Sequence, residues 1–162
     1  MPSNHKNSVP RRPLYTVEER LRRDATKWTL VQGILAPMQF LVFAVSLVLV
    51  LRYIATGDGY TAATLSVVVK TGFLFLIMIT GAIWEKVVFG QYLLAPAFFW
   101  EDVVSFAVIA LHFAYITALW SNALPPMDLM LLALAAYFTY VVNAGQFIRK
   151  LRLARLDKAV QA

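Results

Sequence analysis

Four stretches of this chain, each long enough to cross a lipid bilayer, are almost free of charge. Residues 28–51 carry none, residues 59–84 carry only Lys70, residues 103–127 carry none unless His112 is protonated, and residues 129–148 carry none. A helix needs about 20 apolar residues to cross the hydrocarbon core. The pattern therefore predicts an all-α integral membrane protein, a four-helix bundle with spans at about 28–53, 60–85, 99–120 and 127–149. The alternative is a soluble protein with buried helices. A hydrophobic content of 60%, against roughly half in soluble domains, argues against it.

Charge placement orients the spans. Lys6, Arg11, Arg12, Arg20, Arg22, Arg23 and Lys27 precede the first span, and Arg149, Lys150, Arg152, Arg155 and Lys158 follow the last. The loops IATGDGY and SNALPPMD hold no Lys or Arg, and Arg52 sits at the edge of the first. Basic residues stay on the cytoplasmic side, so both termini are expected there. Lys86 places the connection between the second and third spans on the same side. The net charge of +6 then belongs to juxtamembrane residues that meet anionic lipid, not to nucleic-acid binding. A basic lead ahead of a span-length apolar run is no signal peptide. Without cysteine, disulfides, iron–sulfur clusters and thiolate metal sites are excluded.

Residues 1–27 read as a basic cytoplasmic tail, its first part (1–14) Pro-rich, polar and expected to be disordered. Thr16-Val-Glu-Glu19 fits a capping box that starts a short surface helix. Residues 28–150 form the membrane domain and residues 151–162 a second basic cytoplasmic tail. Pro37 is expected to kink the first span. Thr56-Gly-Asp-Gly59 reads as a turn, and Pro125-Pro126 suits the opening of the last helix, with Asp128 at its positive end. Lys70 can snorkel if the second span starts late; if it starts early, Lys70 lies deep and needs a partner.

The segment EKVVFGQYLLAPAFFWED, residues 85–102, holds the chemistry. Its apolar middle is too short to cross a bilayer, and Gly90 and Pro96 disfavour one unbroken helix. An interfacial or re-entrant segment is expected, with Glu85, Glu101 and Asp102 gathered at one membrane face. Ionisable groups at a membrane are costly and are functional candidates by default. Carboxyls held close resist double ionisation, and one that keeps its proton can act as a general acid. The plainer alternative is that they are solvated or pair with Lys86 and Arg149.

Other polar residues recur at helical spacing. Glu101, Ser105, His112 and Tyr115 share one face of the third span, with Glu101 and His112 about 16 Å apart along the axis. A neutral imidazole can ligate a metal, including one carried by a substrate; an interhelical hydrogen bond is the alternative. Thr139, Asn143, Gln146 and Lys150 form a stripe on the last span, and Gln32, Gln39 and Ser46 on the first. Such residues are glue between helices or the lining of a polar cleft. Phe98, Phe99 and Trp100 can stack on a flat ring or anchor at the interface. One span histidine cannot supply bis-histidine haem ligation within a monomer, and there is no HExxH, phosphate loop or GxSxG.

The segments WTLVQGILAPMQFLVF (28–43), ITGAIWEKVVFGQYLLAPAFFWEDVVSF (79–106) and YVVNAGQFIRKLRLARL (140–156) resemble the 2-vinyl bacteriochlorophyllide hydratase family, also called chlorophyllide 3-vinyl hydratase. The resemblance runs from about residue 15 to residue 155. It implies a lyase of bacteriochlorophyll biosynthesis in the inner or intracytoplasmic photosynthetic membrane of a bacterium. Its reaction adds water across the 3-vinyl group of a chlorophyllide to give a 1-hydroxyethyl group. It also implies a magnesium chlorin substrate, membrane lipid and other enzymes of the pathway as partners, and no cofactor beyond water and the substrate's own magnesium. It carries no catalytic assignment.

From the chemistry of that reaction, Glu85, Glu101 and Asp102 are expected to supply acid and base. His112 is the candidate axial ligand to the substrate's magnesium. Trp100, Asn143 and Gln146 are candidate pigment contacts, and Lys86, Arg149 and Lys150 candidate partners of the propionate. A non-catalytic pigment-binding or assembly subunit would also want rings and a histidine, but not three carboxylates at one face. A small proton-coupled transporter would need Glu85 on a lumen open to both sides.

Overall fold

The computed structural model describes residues 13–160, with side chains to residue 156. Residues 1–12, on which most of the expected disordered tail falls, lie outside it. The described chain is all helical: α1 (Val17–Ala25), α2 (Lys27–Thr56), α3 (Tyr60–Phe89), α4 (Phe99–Trp120) and α5 (Pro126–Val160). The last four are long and apolar enough to cross a membrane.

The local signals act largely as the residues dictate. Thr16 caps α1 by accepting from Glu19 N–H, and Glu19 returns a bond to the Thr16 N–H, a complete capping box. Pro37 lies within α2, which continues through it. Gly57 and Gly59 take left-handed backbone at φ 76° and 86°. That conformation, cheap only for glycine, lets α2 reverse into α3 within residues 57–59. Pro126 occupies the first turn of α5, where its missing N–H costs nothing.

Two boundaries differ from expectation. The second span continues past residue 85 to Phe89, where Gly90 ends it at φ 84°. Residues 151–160 are no separate tail, since α5 continues through them. Leu151, Leu153, Ala154 and Leu156 among the basic residues are good helix formers, so nothing stops the helix after residue 150.

Side-chain placement is inverted relative to a soluble protein. Leu41 (67% exposed), Leu65 (62%) and Phe138 (72%) point outward, whereas Gln39, Ser46, Lys70, Ser105, His112 and Asn143 are buried. In lipid, an outward leucine costs nothing and an outward amide costs several kcal/mol or less depending on depth, so polar groups turn inward. There they join helices. Ser46 Oγ meets Tyr137 Oη at 2.6 Å and Ser66 Oγ at 2.7 Å. Gln32 Nε2 donates to Thr80 Oγ1 at 2.7 Å. The apolar core between them centres on Phe43, Val67, Leu74, Val108, Tyr115 and Tyr137.

α3 packs mainly on α2, and α4 on α5. The two pairs meet mainly through α2 and α5 and less closely through α3 and α4. The residues just after the tail expected to be disordered strap one end of the bundle. Tyr15 is buried, stacks on Phe89 with ring centres 5.8 Å apart, and lies under Arg23. Trp84, Phe98 and Phe147 complete this aromatic cap.

Candidate active site

The segment connecting α3 to α4, residues 90–98, folds back over the end of the bundle. It has no helix of its own until α4 begins, and Leu93 and Leu94 both take left-handed backbone at φ 56°. That conformation costs a non-glycine residue roughly 1–2 kcal/mol and persists where surrounding structure enforces it. Here it turns successive backbone N–H groups toward two carboxylates. Leu94 N–H donates to Asp102 Oδ2 at 2.5 Å, and Ala95 N–H donates to Glu85 Oε2 at 3.3 Å. Adjacent loop amides thus hold the Glu85 and Asp102 carboxyls at the same place, and carboxyls brought close resist double ionisation. Both residues are buried, at 5% and 3% exposure.

Glu101 completes the group and differs from the other two. Its Oε2 lies 3.4 Å from Lys150 Nζ, and the same ammonium donates to the Ala97 carbonyl. Asn143 Nδ2 donates to the Glu101 backbone carbonyl at 2.8 Å, and Ser105 Oγ bonds both that carbonyl and Asn143 Oδ1. Glu101 is thus an ion-paired carboxylate fixed by α5, beside a carboxyl pair bonded by loop amides. The three carboxylates that the sequence brackets are brought together.

The remaining candidates separate. Lys86 lies outside the cluster, donating to the Gly90 carbonyl at 2.7 Å beside the Tyr92 ring. Arg149 is exposed. Gln146 turns its Oε1 inward, without a protein donor among the described residues. Trp100 is 68% exposed and packs edge-on against Phe99, whereas Phe98 is buried in the aromatic cap. The three successive aromatics therefore divide between cap and periphery.

His112 makes an interhelical hydrogen bond, the reading set beside metal ligation. Its Nδ1 meets the Val108 carbonyl at 2.7 Å, and its Nε2 meets Lys70 Nζ at 2.6 Å. A carbonyl only accepts, so Nδ1 carries a proton and Nε2 faces the lysine. Neither nitrogen is left for a substrate metal in this arrangement, and the ring is wholly buried. α3 starts early, at Tyr60, so Lys70 lies deep. It does not snorkel; it rests on the Tyr140 ring at 4.2 Å and near Tyr137 at 5.2 Å. Burial with a partner is what the early start required.

Sequence reasoning missed two features. The loop amides of Leu94 and Ala95 have no side-chain signature. A cleft of about 230 Å³ between α3 and α4 is lined by Phe75, Met78, Ile79 and Ala82 on one helix and Phe106 and Ile109 on the other, with Leu93 at its end. Its residues read in sequence as ordinary lipid-facing ones.

A family model for 2-vinyl bacteriochlorophyllide hydratase matches residues 15–153. The chain belongs to the 2-vinyl bacteriochlorophyllide hydratase family. A family protein of Cereibacter sphaeroides is 69% identical over 151 residues, covering 93% of each chain. Another, of Rhodobacter capsulatus, is 65% identical over 159 residues, covering 98% of this chain and 92% of its own. Both bear the name 2-vinyl bacteriochlorophyllide hydratase. No solved structure matches the chain. The family match begins at Tyr15, the residue that straps the carboxylate end, and spans the whole α3–α4 site.

Proposed function

We propose that this chain hydrates the vinyl group of a bacteriochlorophyllide, and that Glu85 and Asp102 are its acid and base. The carrying observation is the buried carboxyl pair held on the Leu94 and Ala95 amides, within a family of hydratases. The reaction places a proton on the terminal vinyl carbon. The cation at the inner carbon is delocalised into the macrocycle, and water adds there and loses a proton. The net change consumes one water: the vinyl π bond and one water O–H bond break, a C–H and a C–O bond form, and a hydroxyethyl group results. One carboxyl of the pair gives the first proton, and the other, freed of it, receives the proton released by water. The pair thus returns to its starting state with one proton between its members. The reaction is redox-neutral, so water is the only co-substrate, and the magnesium arrives with the pigment.

Glu101, paired with Lys150, braces the carboxylate end against α5 rather than supplying a proton. The inward Gln146 Oε1, without a protein donor among the described residues, is an acceptor that can orient the attacking water. With Lys150 engaged, Lys86 and Arg149 remain as the partners for the propionate at the bundle's edge. The setting is a multi-pass protein of the inner or intracytoplasmic photosynthetic membrane. The carboxylate end faces the cytoplasm, and residues 90–98 lie at the interface. Arg20, Arg22, Arg23, Lys86, Arg149 and Lys150 at that end support this.

Turnover of a vinyl pigment by carboxylate variants tests the reading. Glu85→Gln or Asp102→Asn is expected to leave the protein inserted and folded while lowering turnover about 10²-fold or more, the usual worth of a general acid or base. Glu101→Gln is expected to lower it less. A Glu85→Gln, Asp102→Asn double variant with normal turnover overturns the assignment.

A further inference from the structure

We propose that the cleft between α3 and α4 seats the vinyl-bearing edge of the pigment, which slides in sideways from the lipid while the rest of the macrocycle stays in the bilayer. This rests on the hydratase reading above and adds the location and the part of the substrate recognised. The two helices are joined directly at Lys70–His112 and, through the Leu94 and Ala95 amides, at Asp102 and Glu85. The cleft lies between these two polar contacts, where α3 and α4 diverge. Ala82 is one turn before Glu85 and Phe106 one turn after Asp102, so both flank the carboxyl pair on the cleft side. Leu93 closes the end nearest the loop, and the next residue supplies the amide that holds Asp102. A group seated there lies about one helical turn from the carboxyl pair.

Size and polarity define what fits. At about 230 Å³, the cleft is smaller than the roughly 300–1,000 Å³ of pockets that enclose a whole drug-sized ligand. It takes one edge of a large ring system. Its lining is wholly apolar, with Phe75 and Phe106 as flat surfaces, and offers no group for a propionate or a metal. Ile79 is 62% exposed and Phe106 44%, so the cleft opens toward the lipid, the phase in which an apolar pigment dissolves. The recognised chemistry is therefore an unsaturated hydrocarbon substituent on a flat ring, read without its metal.

Equilibrium binding of a metal-free 3-vinyl chlorin to the full-length protein in lipid nanodiscs tests this. Ala82→Phe, which fills the cleft, is expected to weaken binding about tenfold or more, the scale of excess bulk in an apolar pocket. Phe138→Leu, on the outward face of α5 and away from the cleft, is expected to bind as wild type. A second measurement needs no bulky change. The chain has no cysteine, so Ile79→Cys and Phe138→Cys each carry one thiol. Pigment is expected to slow methylthiolation of the first by a small permeant reagent and leave the second unchanged. Normal binding by Ala82→Phe, or equal protection of both thiols, overturns the cleft. Loss of binding in Ala82→Phe alongside normal turnover in the carboxylate double variant keeps the cleft and sinks the carboxylate assignment.

Discussion

Glu85, Glu101 and Asp102 are the same chemical type at one end of one bundle, yet their neighbours give them different work. Two are held by adjacent loop amides, and the third is paired with Lys150. Lys70 and His112 show the converse, two strongly polar residues whose placement is structural. His112 lies about 16 Å along α4 from Glu101, and Lys70 about 22 Å along α3 from Glu85, by helical rise, too far to pass a proton directly. His112→Leu is expected to destabilise the protein by about 1–3 kcal/mol, because it strips the buried Lys70 amine of its hydrogen-bond partner. Adding Lys70→Met should recover much of that loss, since removing both partners leaves no unsatisfied group. Thermal melting of the four proteins in detergent checks the cycle. Turnover per folded molecule should stay within a few-fold of wild type. Abolished turnover in folded His112→Leu would move the site deeper into the bundle.

The connecting segment 90–98 is the element that turns a generic helix pair into a candidate site. Two consecutive leucines with left-handed backbone store roughly 1–2 kcal/mol each, and the orientation of the Leu94 amide depends on them. Leu94→Gly relieves strain but adds about 0.4–1 kcal/mol of unfolded-state entropy, so the melting temperature is expected to stay close to wild type or rise. Turnover is expected to fall, because a relaxed loop no longer holds its N–H on Asp102. Unchanged turnover would make the loop a plain connector. Little of this was legible beforehand. Gly90 and Pro96 marked the break, but backbone amides carry no residue identity. The three carboxylates were legible as candidates, and which two would pair was not.

For the whole molecule, the arrangement follows from exchanging water for lipid. Polar groups turn inward and hold α2 to α3 and to α5, while leucines and phenylalanines face outward. α2 and α3 meet at Gly57–Gly59, and α4 and α5 at residues 121–125, which places both turns opposite the carboxylates. Reporter fusions at Gly57 and Asn122 are expected to read as periplasmic, and single cysteines at Lys86 and Pro96 to label from the cytoplasmic side. A cytoplasmic signal at either fusion rejects the orientation.

Charge-free length determined the all-helical membrane class and the four long helices by itself, because a bilayer sets the length of a span and penalises charge within it. Capping residues, glycines and prolines set most of the boundaries, since these act locally. Long-range motifs determined the family. Only the tertiary structure decided which polar residues meet. Lys70 finds His112 and Glu85 finds Asp102 because α3 and α4 run antiparallel at one particular register. Tyr15 closes the end over them from a segment that composition alone assigned to a tail. The cleft has the same origin. It is the space left where two helices, each packed on another neighbour, diverge, and no residue within either helix specifies that gap.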